Sequence, residues 1–416
     1  MIQVVLSLFL LFVWTNELPR SFGSDGTSFF AVVLGFTFRF YIQRLTSLGS
    51  INYAGAQIVP SNIGINYGRL GTNLPSAHTS IETIKSMGVG GVKLYNADPE
   101  TLRLLAGTKI QVTIMVPNQE IIEIASNPSS ANKWIQDNVL PYYPDTMIRF
   151  ILVGNEVLSY YSDEDKRVWD HVVPAMRRLR SFLKARNINN IKLGTPLAMD
   201  VFETTFPPSA GTFRSDVSRT MISELLRFLN FTKSPFFIDV YPYFPWSADP
   251  THINLDFALF QSEEKYTDPG SGLIYTNLLD QMLDSVIFAM TRLGYPDIKL
   301  SISETGWPNA GDIDQPGANV YNAATYNRNL VRRMTSQLPR GTPARPEVII
   351  PTFIFALYDE DKKPGSGTER HWGLLHADGT PVYKIDFKGI QGPEHSALLK
   401  SDIVGTKTSL SLQNLV

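Results

Sequence analysis

The 416-residue chain contains no cysteine. That excludes a disulfide framework, thiolate metal sites, iron–sulfur clusters and a cysteine nucleophile. Charge of one sign is also missing: 37 Lys+Arg stand against 39 Asp+Glu, a formal net charge of −2, so a nucleic-acid partner is not expected. Histidine is sparse, six residues with no His-Glu-x-x-His or similar spacing, so no metal and no cofactor is expected. No Gly-x-Gly-x-x-Gly turn follows the first strand candidate, and no Gly-x-x-x-x-Gly-Lys loop occurs. Long hydrophobic runs are lacking too. Residues 2–14 are apolar but fall short of the roughly 20 needed to cross a bilayer. What is abundant is core material: 43% of residues are hydrophobic, too many for a chain disordered throughout.

The ends read differently from the middle. The run at 2–14 has signal-peptide length, a second apolar run spans Phe29–Phe38, and Ala54-Gly55-Ala56 offers small residues ahead of Gln57. Residues 1–56 are therefore expected to be a leader with an irregular insertion. Residues 392–416 are mostly polar and lack the apolar tail that a lipid-anchor signal requires, so a disordered tail and no membrane anchor are expected. Asn230-Phe231-Thr232 is the one usable glycosylation sequon, consistent with secretion to the extracellular space or wall, with the vacuole as the other destination.

Residues 61–389 alternate strand-like and helix-like segments. Eight strand candidates stand out: Ile63–Tyr67, Gly91–Tyr95, Gln111–Val116, Ile148–Asn155, Lys192–Ala198, Phe236–Tyr241, Lys299–Glu304 and Ile349–Leu357. Between them lie helical patterns. Asn277–Leu293 carries an apolar stripe at helical spacing, and Asp163–Arg186 is acidic at its start, basic at its end and expected to kink at Pro174. Eight strands with intervening helices point to a single (β/α)8 barrel; a doubly wound open sheet is the structural alternative. A barrel of this size needs no partner to bury its core, so a monomer is expected.

A barrel's reactive groups sit at the C-terminal ends of its strands. Two candidate strands run into an acid there: Val153-Gly154-Asn155-Glu156-Val157 and Ser303-Glu304-Thr305-Gly306-Trp307. Alternation places Glu304 in one row with Leu300 and Ile302, and Glu156 in one row with Phe150, Leu152 and Gly154, each expected to face the barrel axis. Two carboxyl groups across one mouth suit glycosidic cleavage, in which a neutral acid protonates the leaving oxygen and a carboxylate attacks or positions water. The aromatic set Tyr241, Tyr243, Phe244, Trp246 and Trp307 is expected to line a groove in which sugar rings stack.

Both acid-bearing segments resemble signatures of plant family 17 glycoside hydrolases, the β-1,3-glucanases. Gly64-Ile65-Asn66-Tyr67-Gly68, Val92-Lys93-Leu94-Tyr95, Phe206-Pro207-Pro208-Ser209-Ala210-Gly211, Val240-Tyr241-Pro242-Tyr243-Phe244 and Thr368-Glu369-Arg370-His371-Trp372-Gly373-Leu374 extend the resemblance, in order, from about Ile63 to Phe387. The resemblance implies a barrel that cleaves internal β-1,3-glucosidic bonds with retention, Glu156 matching the proton donor and Glu304 the nucleophile. It implies supporting roles for Glu360, Lys363 and Glu369, and substrate contacts from Asn155, Tyr95, Tyr241, Phe244 and Trp307. The implied partner is a β-glucan polysaccharide. Hydrolysis of mixed-linkage β-1,3-1,4-glucan, and glucan binding without turnover, are the alternative readings.

Overall fold

A computed structural model describes residues 62–335 and 341–387. The expected leader (1–56) and tail (392–416) lie outside the described residues. Within them the chain forms β1 (Ile63–Tyr67), β2 (Gly91–Leu94), β3 (Gln111–Val116), β4 (Ile148–Val153), β5 (Lys192–Gly194), β6 (Pro196–Ala198), β7 (Phe202–Thr204), β8 (Thr212–Phe213), β9 (Phe236–Asp239), β10 (Tyr266–Thr267), β11 (Ile274–Tyr275), β12 (Leu300–Thr305) and β13 (Thr352–Ile354).

Nine of these strands make one sheet, in the order β5-β4-β3-β2-β1-β13-β12-β9-β6, and every pairing in it is parallel. The two ends of that order, β5 and β6, are consecutive pieces of the single expected strand Lys192–Ala198, parted at Thr195. β5 pairs with β4 and β6 with β9, so the fifth barrel position is shared and the sheet curls round on itself. The expected (β/α)8 barrel is what forms, as a single domain. Two antiparallel hairpins, β7–β8 and β10–β11, lie in the long loops after barrel positions five and six.

Parallel strands covered by helices are buried on both faces, and the two faces differ here. Ile65, Val92, Ile114, Ile151, Phe236 and Ile302 belong to the main core, shared with the surrounding helices. Met115, Leu152 and Phe237 form a separate small cluster that fills the barrel axis. Phe353 and Phe237 need space there. A Cβ added at Gly64 would lie 2.4 Å from the Phe353 ring, and one at Gly194 would lie 2.4 Å from Phe237.

Six helices bear on the site and its surroundings: α1 (Ala77–Met87), α2 (Asp163–Trp169), α3 (Val172–Ala185), α4 (Tyr243–Ala248), α5 (Leu278–Arg292) and α6 (Val320–Thr335). Ser76 caps α1, its Oγ accepting from the Thr79 N–H at 3.2 Å. The expected kinked helix Asp163–Arg186 is two helices. The break falls at Asp170–His171, and Pro174 sits in the first turn of α3, where its missing N–H costs nothing. α5 starts beside its Asn277 cap as its pattern predicts, but it is buried nearly all round, Asp280, Gln281 and Asp284 included. The long loops of positions five and six cover the face that its sequence would leave to solvent.

Candidate active site

β12 and β9 set the position of Glu304. Leu300, Ser301 and Ile302 lie opposite Phe236, Phe237 and Ile238, then the register slips and Glu304 lies opposite Asp239. Leu300 and Ile302 face the helix-side core, whereas Phe237 faces the axis. The expected row Leu300–Ile302–Glu304 is therefore corrected: strict alternation would send Glu304 to the helices, and the one-residue irregularity turns it to the barrel mouth.

At the mouth Glu304 is 6% exposed. Its Oε1 accepts from Lys93 Nζ at 2.6 Å and from Tyr95 Oη at 2.6 Å, and its Oε2 accepts from Tyr241 Oη at 2.6 Å. Asn66 Nδ2 donates to Tyr95 Oη at 2.9 Å and to the Ser303 carbonyl at 3.0 Å, fixing both neighbours. Burial pushes the Glu304 carboxyl up, but the Lys93 and Lys363 ammonium groups and the donated hydrogen bonds outweigh it, so its pKa stays below the ordinary value.

Glu156 reaches the mouth by a different route. β4 ends at Val153, so the expected strand alternation through Gly154 to Glu156 is also corrected. Gly154 has φ +77°, and Glu156 itself is left-handed at φ 46°, ψ 38°. A left-handed conformation is strained for a residue with a side chain and clusters at functional positions. The intervening Asn155 is clamped, its N–H donating to Asn118 Oδ1 at 2.7 Å while Asn118 Nδ2 donates to the Asn155 carbonyl at 3.1 Å. The Glu156 N–H donates to the Pro196 carbonyl at 3.2 Å, tying the turn to β6. Burial first, then the negative charge of Glu304, raise the Glu156 carboxyl from 4.5 to about 7; Asp200 adds to the rise, and Lys93 and Lys363 oppose it.

The charged group beyond β13 also gathers here. Glu360 is buried and accepts from the Leu70 N–H at 2.9 Å. Lys363 Nζ lies 4.0 Å from Glu360 Oε2, 4.0 Å from Glu369 Oε2 and 4.2 Å from the centre of the Phe355 ring. Burial raises the carboxyls of Glu360 and Glu369, with Lys363 opposing in each case.

The aromatic residues divide. Phe244 is 46% exposed, and Tyr241, half-buried, packs edge-on against it at 5.6 Å. Tyr243, Trp246 and Trp307 are buried. The expectation that Trp307 offers a face to sugar is corrected: it is fully buried, donates Nε1–H to the Gly317 carbonyl at 2.8 Å, and packs among Tyr243, Trp246 and Tyr326. Asn155 and Tyr95 are half-buried at the mouth, and Asn155 Oδ1 has no partner among the described residues.

Sequence reasoning passed over Lys93, Asp239, Asn66 and Asn118 as site residues. Two left a signal: Lys93 interrupts the apolar β2 between Val92 and Leu94, and Asp239 ends the apolar run Phe236-Phe237-Ile238. Asp239 accepts from Ser303 Oγ and is pushed well above the carboxylate range by burial and by Glu304. In the free site, then, the ionised carboxyl is Glu304, and Glu156 and Asp239 hold their protons more tightly.

Residues 63–387 match the family described as Glycosyl hydrolases family 17. The chain is similar to the probable glucan endo-1,3-β-glucosidase A6 of Arabidopsis thaliana, 56% identical over 349 residues, which are 84% of this chain and 70% of that protein. Among solved structures it resembles CJP38, a β-1,3-glucanase and allergen of Cryptomeria japonica pollen. That match has TM-score 0.73 and 41% identity and covers 78% of this chain and 99% of that one. It also resembles a structure from a pair of plant β-glucan endohydrolases with distinct substrate specificities, with TM-score 0.70, 32% identity, and coverage of 78% and 100%. The family match spans the barrel from its first strand past its last and takes in both carboxyl-bearing turns, so the chain belongs to family 17 of the glycosyl hydrolases.

Proposed function

We propose that this enzyme hydrolyses internal β-1,3-glucosidic bonds of callose- or fungal-wall-type glucans, with retention of configuration. Glu156 is the acid/base and Glu304 the nucleophile. The observation that carries the reading is the opposed state of two carboxyl groups at one mouth: Glu156 raised to about 7 and Glu304 held low by Lys93 and Lys363.

In the first step Glu304 attacks the anomeric carbon, the bond to the leaving oxygen breaks, and that oxygen takes the proton of Glu156. The product is a glycosyl ester on Glu304 and a carboxylate on Glu156. Esterification removes the charge that helps to raise Glu156, so Glu156 ionises more easily at the moment it must act as a base. Water then gives a proton to Glu156 and its oxygen to the anomeric carbon, and Glu304 leaves as a carboxylate. Tyr95, Tyr241 and Lys93 aim Glu304 throughout, and Lys363, with Glu360 and Glu369 around it, adds positive charge nearby. The partnerless Asn155 Oδ1 accepts from a sugar hydroxyl, and Phe244 supplies a stacking face.

We place the enzyme outside the cell or in the wall, acting as a monomer. Asn230 is exposed in the last turn of helix Ser223–Thr232 and open to glycosylation, although its partner Thr232 is buried.

The test is a size-resolved product time course on a soluble β-1,3-glucan beside a mixed-linkage β-1,3-1,4-glucan, with Glu304→Gln as the control. Mixed-length early products from the 1,3-glucan, abolished by Glu304→Gln, support the reading. Preference for the mixed-linkage polymer moves the specificity, and binding without new reducing ends makes this a glucan-binding protein. Unchanged activity in Glu304→Gln would refute the assigned chemistry.

A further inference from the structure

A cavity of about 730 Å³ opens between the long loops of barrel positions five and six, and none of its lining residues is a carboxylate or tyrosine of the mouth. Its floor is apolar, with Phe202, Phe257 and Met282 nearly buried. In that floor Gln281 of α5, 6% exposed, sets a polar side chain among the apolar ones that line the cavity. At the rim Phe206 is 62% exposed and stands 5.1 Å from the Tyr266 ring. Three exposed carboxylates, Glu203, Asp249 and Glu264, also line the cavity.

These features describe a ligand with apolar C–H faces for the two rings and hydroxyl groups for the amide and carboxylates. A purely apolar molecule would set Gln281, Glu203, Asp249 and Glu264 against a surface that offers them no hydrogen bond. Continuity with the mouth narrows the choice. The cavity lies in loops that follow barrel strands, so it shares the mouth's side of the barrel. The short helix α4 joins the two: its Phe244 packs against Tyr241 at the mouth, while its next residue Pro245 and the following Asp249 line the cavity.

We propose that this cavity is an accessory site that holds a glucosyl stretch of the same polymer whose neighbouring stretch lies across the mouth. The proposal rests on the reading that the mouth acts on β-glucan. Tethering at the cavity raises the local concentration of chain at the mouth without any new contact to the reacting atoms. A polymer benefits and an oligosaccharide too short to reach both places does not.

The test uses the full chain with Phe206→Ala and, separately, Gln281→Leu, whose size suits the packed floor. Hydrolysis is compared on a soluble β-1,3-glucan polymer and on a short laminari-oligosaccharide. Mobility is followed in native gels cast with the polymer, a readout that needs no turnover. The expected result is an apparent KM for polymer raised about fivefold or more and weaker gel retardation, with kcat/KM on the short substrate within about twofold of the parent. Unchanged polymer KM and retardation in both variants would overturn the proposal, and so would an equal loss on both substrates, which would mean the mouth itself was disturbed. If the parent is retarded by the polymer but hydrolyses nothing, the catalytic reading fails, and the mobility of the variants still decides whether the cavity binds glucan. A parent that is neither retarded nor active overturns both.

Discussion

Replacing Glu156 by glutamine should make the protein inactive and, at neutral pH, more stable. The carboxyl rises from 4.5 in the unfolded chain to about 7 in the fold. Its contribution is therefore complete below about pH 4.5 and is lost as pH climbs through 7, because the unfolded state then releases a proton that the folded state still holds. The gap of about 2.5 pH units corresponds to about 3 kcal/mol at 1.36 kcal/mol per unit. Glu156 is half-buried by exposed area, so water screens part of this and the accessible gain is about 1–3 kcal/mol. Glutamine keeps the shape and cannot ionise. Urea unfolding of parent and Glu156→Gln at half-unit steps from pH 5 to 8.5 gives the difference directly. The two curves should converge at the acid end and separate as pH rises, with the variant ahead. A difference that stays flat with pH, or one that favours the parent at pH 8, would mean that Glu156 is not held protonated by its surroundings.

The same electrostatics predict a wide pH–rate profile for the parent. kcat/KM should fall on the alkaline side near 7 as Glu156 loses its proton, and on the acid side only below the ordinary glutamate range, as Glu304 gains one. Lys93→Met should move the acid limb upward, since Lys93 is the leading group that lowers Glu304, and breaking this buried pair should cost about 3–5 kcal/mol of stability; an unmoved acid limb would remove Lys93 from this role. Trp307→Ala should destabilise by about 3–5 kcal/mol, read by urea unfolding, as expected for emptying a buried aromatic site. A raised KM with unchanged stability would instead put its ring in contact with sugar.

How the sequence relates to this structure is clearest at Glu304 and Glu156. Both acids were legible because each follows an apolar run at the end of a strand candidate, and the barrel itself was legible from eight strand-like runs with helical patterns between them. The way each acid reaches the mouth was not. Simple alternation cannot foresee a register slip between Ile302 and Glu304, which depends on how β12 meets β9 and β13, nor the left-handed turn that presents Glu156 beyond the end of β4. Lys93 was readable in principle, as a charge inside an apolar strand, but its role depends on a partner 211 residues away. Trp307 shows the opposite failure. A tryptophan beside a catalytic signature invites a stacking role, yet burial is decided by Tyr243, Trp246 and Tyr326, which come from other segments. The long loops were visible as stretches rich in proline and glycine, whereas the cavity between them arises from how those loops close over α5.

The ion pair beneath the mouth has a consequence for the medium in which the enzyme works. Dissolved ions screen charges over about 8 Å at physiological strength, but only through solvent that they can enter. Lys93 has no exposed side-chain surface and Glu304 almost none, so mobile ions cannot come between them. The leading charge that keeps Glu304 ionised is then out of reach of salt, and only the smaller share from the partly exposed Lys363 is open to screening. The chemical step should therefore change little between dilute buffer and concentrated salt, and most of any dependence on ionic strength should enter through the exposed rim, in how polymer is captured and released.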